Sequence, residues 1–335
     1  MPSASEQKGR VATKPFTVRH IAEIQARAEN AQWLVEPLWA LAGVGIVAGL
    51  PKACKTWVAA ELALAVATGG SALGRFPARA TGPVLFFGAE ADQPSLRKRF
   101  EAIAATRGAR LADAPLFLLD IAELRLDQDD HIARLRATVA ERRPRLLVLD
   151  PFVRIARVDE NSAVEVSAVL GSLRAIQREL DGAVLLAHHM RKSPASHLGQ
   201  QLRGSGDFAA WADSTLYLTR RSDGILLSGE HRGAPAPAPI LFRLETAPVP
   251  HLAVVGHEPS PPSEQDECDP LEASIVDRLT AATRPLSTVE LRDTLKVRKA
   301  TVIAALDALR ARGLVTRSDA GWTLADDGNT QPACN

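Results

Sequence analysis

The sequence contains little cysteine and no long hydrophobic run. Its three cysteines, Cys54, Cys268 and Cys334, have neither a CxxC nor another metal-ligand spacing, which argues against a disulfide framework and favours a reducing compartment. The longest apolar stretches, 41–50 and 57–67, are shorter than the roughly 18 residues of a membrane span. The first ten residues lack the apolar core of a signal peptide. We therefore expect a cytoplasmic protein that does not contact membranes.

The chain also lacks an excess of charge of either sign. Its 40 Lys and Arg residues balance 39 Asp and Glu residues, for a net charge of +1. No overall attraction to nucleic acid follows, and any such contact must be local. With 335 residues, 46% hydrophobic and 24% charged, the composition is that of an ordinary globular protein large enough for two domains.

Short apolar runs alternate with helical stretches in the middle of the chain. The predicted strands are 44–48, 84–88, 116–119, 146–149 and 183–187, and the predicted helices are 56–68, 95–106, 129–142 and 164–180. Buried strands that alternate with helices are typical of a parallel sheet covered on both faces. Segments 214–219, 224–228, 240–245 and 251–255 predict an antiparallel extension of this sheet. The expected fold class is α/β, with a mostly parallel sheet.

The composition also suggests domain boundaries. Residues 1–32 are predicted to form a polar tail with a short helix over 19–29, and residues 33–256 a core domain. Segment 257–270 is acidic and rich in Pro and Ser, so it cannot bury apolar surface and is predicted to be a linker. Residues 271–326 would form a second small domain, followed by a tail over 327–335.

A phosphate-binding loop is the strongest motif. It consists of Gly49, Leu50, Pro51, Lys52, Ala53, Cys54, Lys55, Thr56 and Trp57, which follow an apolar strand and open a helix. Backbone N–H groups and the helix N-terminus can cradle the phosphates of ATP there. Lys55 can reach the β- and γ-phosphates, and Thr56 can ligate Mg²⁺.

Cys54 stands where the phosphate-loop pattern has Gly. The residue before the loop lysine is expected to have a positive φ, which costs a residue with a Cβ about 1–2 kcal/mol of backbone strain. Strain of that size would weaken ATP binding only about five- to thirtyfold. The motif is therefore compatible with a working nucleotide site and with a degenerate one.

Three segments together resemble the RepA family. They are Trp33-Leu-Val-Glu-Pro-Leu-Trp39, the phosphate loop, and Gly82-Pro-Val-Leu-Phe-Phe-Gly-Ala-Glu90. That family comprises hexameric replicative helicases of plasmid type, with chromosomal and phage relatives, in the RecA/DnaB superfamily. The resemblance covers residues 33 to about 250 and departs from the family at Cys54. It implies a RecA-like P-loop NTPase core that binds ATP and Mg²⁺ and forms a homo-oligomer, in the family a hexamer.

Polar residues at strand ends supply the rest of the predicted site. By the resemblance Glu90 is the catalytic glutamate that polarises water, although a solvated strand end is the alternative. Asp92 could assist it or cap the next helix. The run 146–150 has the Walker B form, in which Asp150 contacts Mg²⁺ through water. By the resemblance His189 senses the γ-phosphate, while a purely structural pair of histidines at this strand end remains open.

Basic residues further along the chain resemble those that contact neighbouring subunits and DNA in RecA-like rings. Arg232 matches an arginine that reaches the neighbouring subunit's nucleotide, but Glu230 stands where hexameric helicases have a lysine. The loop 193–206 would face the central channel, with Lys192 and Arg203 contacting phosphates of single-stranded DNA. A disordered surface loop is the alternative.

The C-terminal segment resembles a winged helix-turn-helix domain. It has predicted helices at 271–279, 288–295 and 300–312, and a hairpin over 314–324. Four basic residues could contact the phosphates of duplex DNA, three at the start of the recognition helix and one on the wing: Lys296, Arg298, Lys299 and Arg317. A protein-interaction module is the alternative.

The sequence thus favours an ATP-binding, ATP-hydrolysing protein associated with DNA, acting in replication, mobile-element maintenance or recombination. A protein of another class also fits the sequence. In this alternative the nucleotide site is degenerate and does not catalyse hydrolysis, and the protein is a regulator or scaffold that binds DNA through its winged helix.

Overall fold

The computed structural model describes residues 18–24, 32–180, 182–191, 201–204, 206–255, 270–282, 284–295, 297–311, 314–318 and 321–324. The chain divides into two compact units, residues 1–258 and 259–335. Across these ranges, no helix is both long and apolar enough to cross a membrane.

The first unit contains thirteen strands and six α-helices within the described residues. The strands are β1 Trp33–Val35, β2 Trp39–Ala40, β3 Val44–Gly49, β4 Ser71–Ala72, β5 Phe76–Pro77, β6 Val84–Gly88, β7 Leu116–Leu118, β8 Leu146–Asp150, β9 Ala183–His189, β10 Ser214–Arg221, β11 Gly224–His231, β12 Ile240–Glu245 and β13 His251–Val254. The helices are α1 Lys55–Thr68, α2 Gln93–Arg107, α3 Asp129–Arg142, α4 Phe152–Ile155, α5 Ala163–Leu180 and α6 Asp207–Trp211.

Nine strands form one sheet in the order β13-β12-β11-β10-β3-β9-β8-β6-β7. The six strands from β10 to β7 are mutually parallel. Strands β11, β12 and β13 extend the sheet in antiparallel fashion. The predicted α/β class is confirmed.

Burial on both faces explains why the central strands are apolar throughout. All residues of β3 and β8 are buried, as expected for parallel strands covered by helices on each side. Helices α1 and α2 pack on one face and α3 and α5 on the other. Gly45 permits a close approach within the sheet, because a Cβ there would collide with the Ser214 carbonyl oxygen and the Trp39 ring.

The N-terminal region differs from its prediction. Where an α-helix over 19–29 was expected, residues 21–23 form a 3-10 turn that ends at Ile24, whose backbone is extended. Residues 25–31 lie outside the described part. The hairpin of β1 and β2 was not predicted, and it buries Trp33 and Trp39.

The second unit consists of three helices and a two-stranded hairpin within the described residues. They are α7 Pro270–Ala281, α8 Thr288–Leu295, α9 Lys299–Ala311, β14 Val315–Ser318 and β15 Gly321–Leu324. A bridge between Leu286 and Trp322 ties the start of α8 to the hairpin. Ser287 and Glu290 cap α8 reciprocally, each accepting a hydrogen bond from the other's backbone N–H. The predicted linker, except Pro270, and the 327–335 tail lie outside the described residues.

Candidate functional site

The carboxyl ends of the central parallel strands bring the predicted site residues to one edge of the sheet. Gly49, at the end of β3, is in register with His189 at the end of β9. Gly88, at the end of β6, is in register with Asp150 at the end of β8, and Glu90 follows two residues after Gly88. Open α/β sheets bind their ligands at this edge.

The loop after β3 has a left-handed residue where a phosphate loop needs one. Cys54 has φ 61° and ψ 24° and directly precedes α1, whose first residue is Lys55. The N-terminus of such a helix attracts anions through its N–H groups and its dipole. Burial raises the pKa of the Cys54 thiol, although the charges of Arg220, Arg99 and Lys55 oppose the shift. The thiol is therefore neutral at physiological pH.

Lys55 is buried and points back into the loop. Its Nζ donates to the carbonyl oxygens of Gly49 at 3.0 Å and Leu50 at 3.2 Å, and it lies 3.3 Å from Nδ1 of His189. Burial lowers the pKa of Lys55, while the carboxylates of Asp150 and Glu90 oppose the shift. Because an ammonium group only donates, Nδ1 of His189 accepts in this contact and the imidazole proton is on Nε2.

Asp150 and Thr56 form the oxygen-rich part of the site. Asp150 is 5% exposed and accepts a side-chain hydrogen bond from Thr56. Burial raises the pKa of Asp150, against the Thr56 bond and the charge of Lys55. A hydroxyl and a carboxylate in contact are ligands that suit Mg²⁺ when water and substrate phosphates complete the coordination. In the described part of the chain, no cluster of three or more His, Cys, Asp or Glu could hold a metal ion.

Glu90 lies at the exposed mouth of the site. Its Oε1 is 3.5 Å from Nε of Arg154, on the short helix α4 that follows Asp150. Asp92 caps α2, because its carboxylate accepts from both the backbone N–H and the hydroxyl of Ser95 at 2.8 Å. Of the two roles considered for Asp92, the structure shows the cap.

The two histidines at the end of β9 have different surroundings. The ring of His188 is fully buried and stacks on Phe208 with centroids 4.0 Å apart, and its Nε2 lies 2.8 Å from the Arg203 carbonyl oxygen. Burial lowers the pKa of His188 to about 4, so this ring is neutral at physiological pH. His188 is structural, whereas His189 faces Lys55.

The segment 201–204 returns to the end of β9. The Arg203 N–H donates to the His189 carbonyl oxygen at 3.0 Å, and Arg203 Nε is 3.0 Å from Oε2 of Glu160. The oxygens of Glu160 are buried and make no hydrogen bond, so this contact is an ion pair without hydrogen-bond geometry. Burial raises the pKa of Glu160, and Arg203 opposes that shift. Lys192 lies outside the described residues.

Arg232 is at the opposite edge of the sheet from the phosphate loop, because β11 runs antiparallel to β10 and β3. Its Nη2 donates to the carbonyl oxygens of Ala210 and Ala212, and its Nε is 3.6 Å from Asp213. Glu230 accepts a hydrogen bond from the hydroxyl of buried Tyr217 at 2.9 Å. Arg232 therefore does not join the site of its own chain.

In the second unit, Arg298 and Lys299 are exposed at the start of α9. Arg317 is exposed on β14, with its guanidinium carbon 5.6 Å from the Trp322 ring centroid. Lys296 lies outside the described residues.

Three arginines near the phosphate loop were not predicted from the sequence. Arg154 pairs with Glu90, the charge of Arg220 acts on Cys54, and the Arg99 guanidinium lies over the Trp57 ring at 4.9 Å. For Arg99 a signal existed, because it follows the buried Leu96 by three residues and so lies near the inward face of α2. The other two are brought to the site by tertiary packing alone.

A protein-family model described as an AAA domain, AAA_25, matches residues 11–195. Two solved structures are similar to part of the chain, each with a TM-score of 0.46. The RadB recombinase is 19% identical, over 61% of this chain and 88% of its own. A DnaB-like replicative helicase, described with its interactions with primase, is 15% identical over 61% of this chain and 57% of its own. No curated protein matches the sequence.

Proposed function

Because this chain belongs to the AAA_25 family of AAA domains and has a RecA-like α/β core, we propose that its first unit binds and hydrolyses ATP at the phosphate loop. The observation that carries the proposal is the convergence of Lys55, Thr56, Asp150, His189 and Glu90 at one edge of the sheet. Each of these residue types is suited to one task in phosphoryl transfer.

Lys55 binds the phosphates in the proposed mechanism. A phosphate oxygen offers its ammonium group a charged acceptor in place of the neutral carbonyls of Gly49 and Leu50, and charge-assisted hydrogen bonds are roughly twice as strong as neutral ones. Thr56 would hold Mg²⁺ directly and Asp150 through water. The metal ion would neutralise charge on the transferred phosphate.

Glu90 orients the attacking water in this proposal, and His189 reports on the terminal phosphate. Glu90 is exposed, and among the described residues its only ion-pair partner is Arg154. An exposed ion pair of this kind is worth about 0–1 kcal/mol, so little free energy holds the carboxylate away from a water. The neutral imidazole of His189 can hydrogen-bond a phosphate through its Nε2 proton.

The proposal extends to DNA through basic residues in both units. Arg203, with Lys192, would contact the phosphates of single-stranded DNA beside the ATPase core. The three helices and the hairpin of the second unit support a winged helix. Such a domain would contact duplex DNA through four basic residues, Lys296, Arg298, Lys299 and Arg317. Arg232 would act on the site of a neighbouring copy, so this function requires a homo-oligomer, as in the RepA-like helicases.

A non-catalytic regulator or scaffold is the second candidate. The observation that favours it is Glu230, which stands where hexameric helicases have a lysine. Its carboxylate accepts a hydrogen bond from Tyr217 within the same chain. The same protein would then bind DNA through its second unit without hydrolysing ATP.

ATP binding and phosphate release by the full chain distinguish the two candidates. We expect wild type to bind and hydrolyse ATP, Lys55→Ala to lose binding, and Glu90→Gln to bind ATP with nearly wild-type affinity while losing hydrolysis. Glu101→Gln, which removes an exposed carboxylate that pairs with Arg97 on α2, is the matched control and should behave as wild type. Wild-type protein that binds no ATP would establish the non-catalytic candidate, and equal hydrolysis by Glu90→Gln would exclude Glu90 as the catalytic carboxylate.

A further inference from the structure

Helix α9 of the second unit has one buried face and one exposed face. Four of its side chains pack in the core of the unit: Val302, Ala305, Leu306 and Leu309. Between its ends, the described residues that are exposed are Thr301, Ile303, Ala304 and Asp307. Ile303 is 42% exposed, so the core leaves this large apolar side chain to solvent or to a partner.

The start of α9 is basic, although helix electrostatics disfavour cations there. The Arg298 carbonyl oxygen accepts backbone hydrogen bonds from the first turn, and Lys299 is the first residue of the helix. The first turn contains no acidic residue, and the positive end of the helix dipole repels cations. Arg298 and Lys299 make no ion pair with another described residue, whereas Arg284 of the same unit pairs with Glu290 at 2.5 Å. The charges at the start of α9 therefore complement the phosphates of a nucleic acid.

The residues that follow in α9 lack the side chains that read guanine and adenine. Residues 300–309 contain no Arg, Lys, Asn or Gln, the residue types that bind the major-groove edges of those bases through paired hydrogen bonds. Apolar groups read the 5-methyl group of thymine instead, and this segment exposes Ile303, Ala304 and Thr301. The Asp307 carboxylate, one turn after Ile303, can only accept, and the donors of the major groove are the amino groups of cytosine and adenine. The exposed face of α9 is therefore suited to thymine methyl groups.

We propose that the second unit places α9 in the major groove of duplex DNA and recognises thymine by its 5-methyl group, with Ile303 as the main contact. Arg298 and Lys299 hold the flanking phosphates. The inference rests on the proposed function, in which this unit binds duplex DNA, and it names the substrate of the unit as a thymine-rich duplex.

The test compares the affinities of the full chain for two duplexes of one A·T-rich sequence, the first with thymine and the second with deoxyuridine in its place. Deoxyuridine keeps the phosphates and the hydrogen-bonding groups of thymine but lacks the methyl group. Burying one or two methyl groups corresponds to about four- to fifteenfold tighter binding, so the thymine duplex should bind more tightly by this factor. Phosphate contacts made by either unit are common to both duplexes and cancel from the ratio of affinities.

Two variants assign the effect to α9. Ile303→Ala should lower the ratio to about two or less, because most of the apolar contact is lost, and it should remain folded because alanine favours a helix more than isoleucine does. Val289→Ala, which shortens a side chain that is 43% exposed on α8, is the matched control and should keep the wild-type ratio. Equal affinities of wild type for the two duplexes would overturn the inference, as would an equal loss in the Val289 variant. If wild type binds neither duplex, the proposed duplex-binding role of the second unit itself fails, and the exposed face of α9 would serve a protein partner.

Discussion

Replacing Cys54 with glycine should stabilise the fold, because the backbone at this residue is left-handed. At φ 61° and ψ 24°, a residue with a Cβ bears about 1–2 kcal/mol of strain that glycine avoids. Glycine also makes the unfolded chain more flexible, which offsets about 0.5–1 kcal/mol of the gain. The net stabilisation is about 0.5–1 kcal/mol, or a rise in Tm of roughly 1–4 °C for a unit of this size.

Scanning calorimetry of the full chain can measure this rise in the transition of the first unit. Cys54→Ala is the matched control, because it removes the thiol but keeps a Cβ, and it should not raise Tm. A glycine variant no more stable than the alanine variant would refute the reasoning. If the loop keeps this backbone with ATP bound, the strain is common to the free and bound protein and cancels from the affinity. The weakening of ATP binding expected from the sequence would then be absent, and Cys54→Gly would bind within about threefold of wild type.

Three further results are expected. Glu160→Gln should raise the affinity for single-stranded DNA about two- to fivefold, because it releases Arg203 from a partly exposed ion pair, and Arg203→Ala should lower it by a similar factor. Filter binding would measure both changes, and a loss of affinity in both variants would contradict the prediction. The pKa of His188 is about 4 in the folded protein, against 6.5 ordinarily. As the pH is lowered, the unfolded chain therefore takes up this proton first, and the free energy of unfolding decreases. Between about pH 7.5 and pH 5 the free energy of unfolding should decrease by about 2 kcal/mol from this residue. Urea unfolding at the two pH values would measure the decrease, and His188→Gln should not show this contribution. Replacing three basic residues with alanine should reduce the slope of log affinity for duplex DNA against log salt concentration by up to about three units; these residues are Lys296, Arg298 and Lys299. An unchanged slope would favour a protein-interaction module.

The sheet was predictable because its strands are buried on both faces and therefore appear as uninterrupted apolar runs. The boundaries of α3, β6 and β12 agree with their predictions at both ends, and those of β3 and β8 within one residue. The short hairpin Trp33–Ala40 escaped prediction, since strands of two or three residues have no period to detect. The N-terminal helix was overestimated because helical propensity alone rarely stabilises a segment that buries nothing, and residues 21–23 are all exposed.

The candidate site was predictable where chemistry follows directly from chain order. The loop, Asp150 and His189 each end a strand of the same parallel sheet, so topology alone assembles them. The ion pairs were not predictable, because Arg154 and Arg203 reach their carboxylate partners through tertiary packing. Which of the two adjacent histidines faces the site is also a matter of register, since side chains alternate across a strand and a slip of one residue would exchange them.

The position of Arg232 constrains how the proposed function can operate. His189 links the phosphate site to the segment 201–204 within one chain, since its side chain is 3.3 Å from Lys55 and its carbonyl oxygen accepts the Arg203 N–H. A change at Lys55 can therefore reach Arg203 through a single residue. Arg232 is at the other edge of the same sheet and can complete a nucleotide site only on another copy. Under the proposed function, His189 of one protomer senses the bound nucleotide, and Arg232 of the neighbouring protomer completes the site. Because an active site then needs two protomers, the rate of ATP hydrolysis should rise with protein concentration more steeply than in direct proportion.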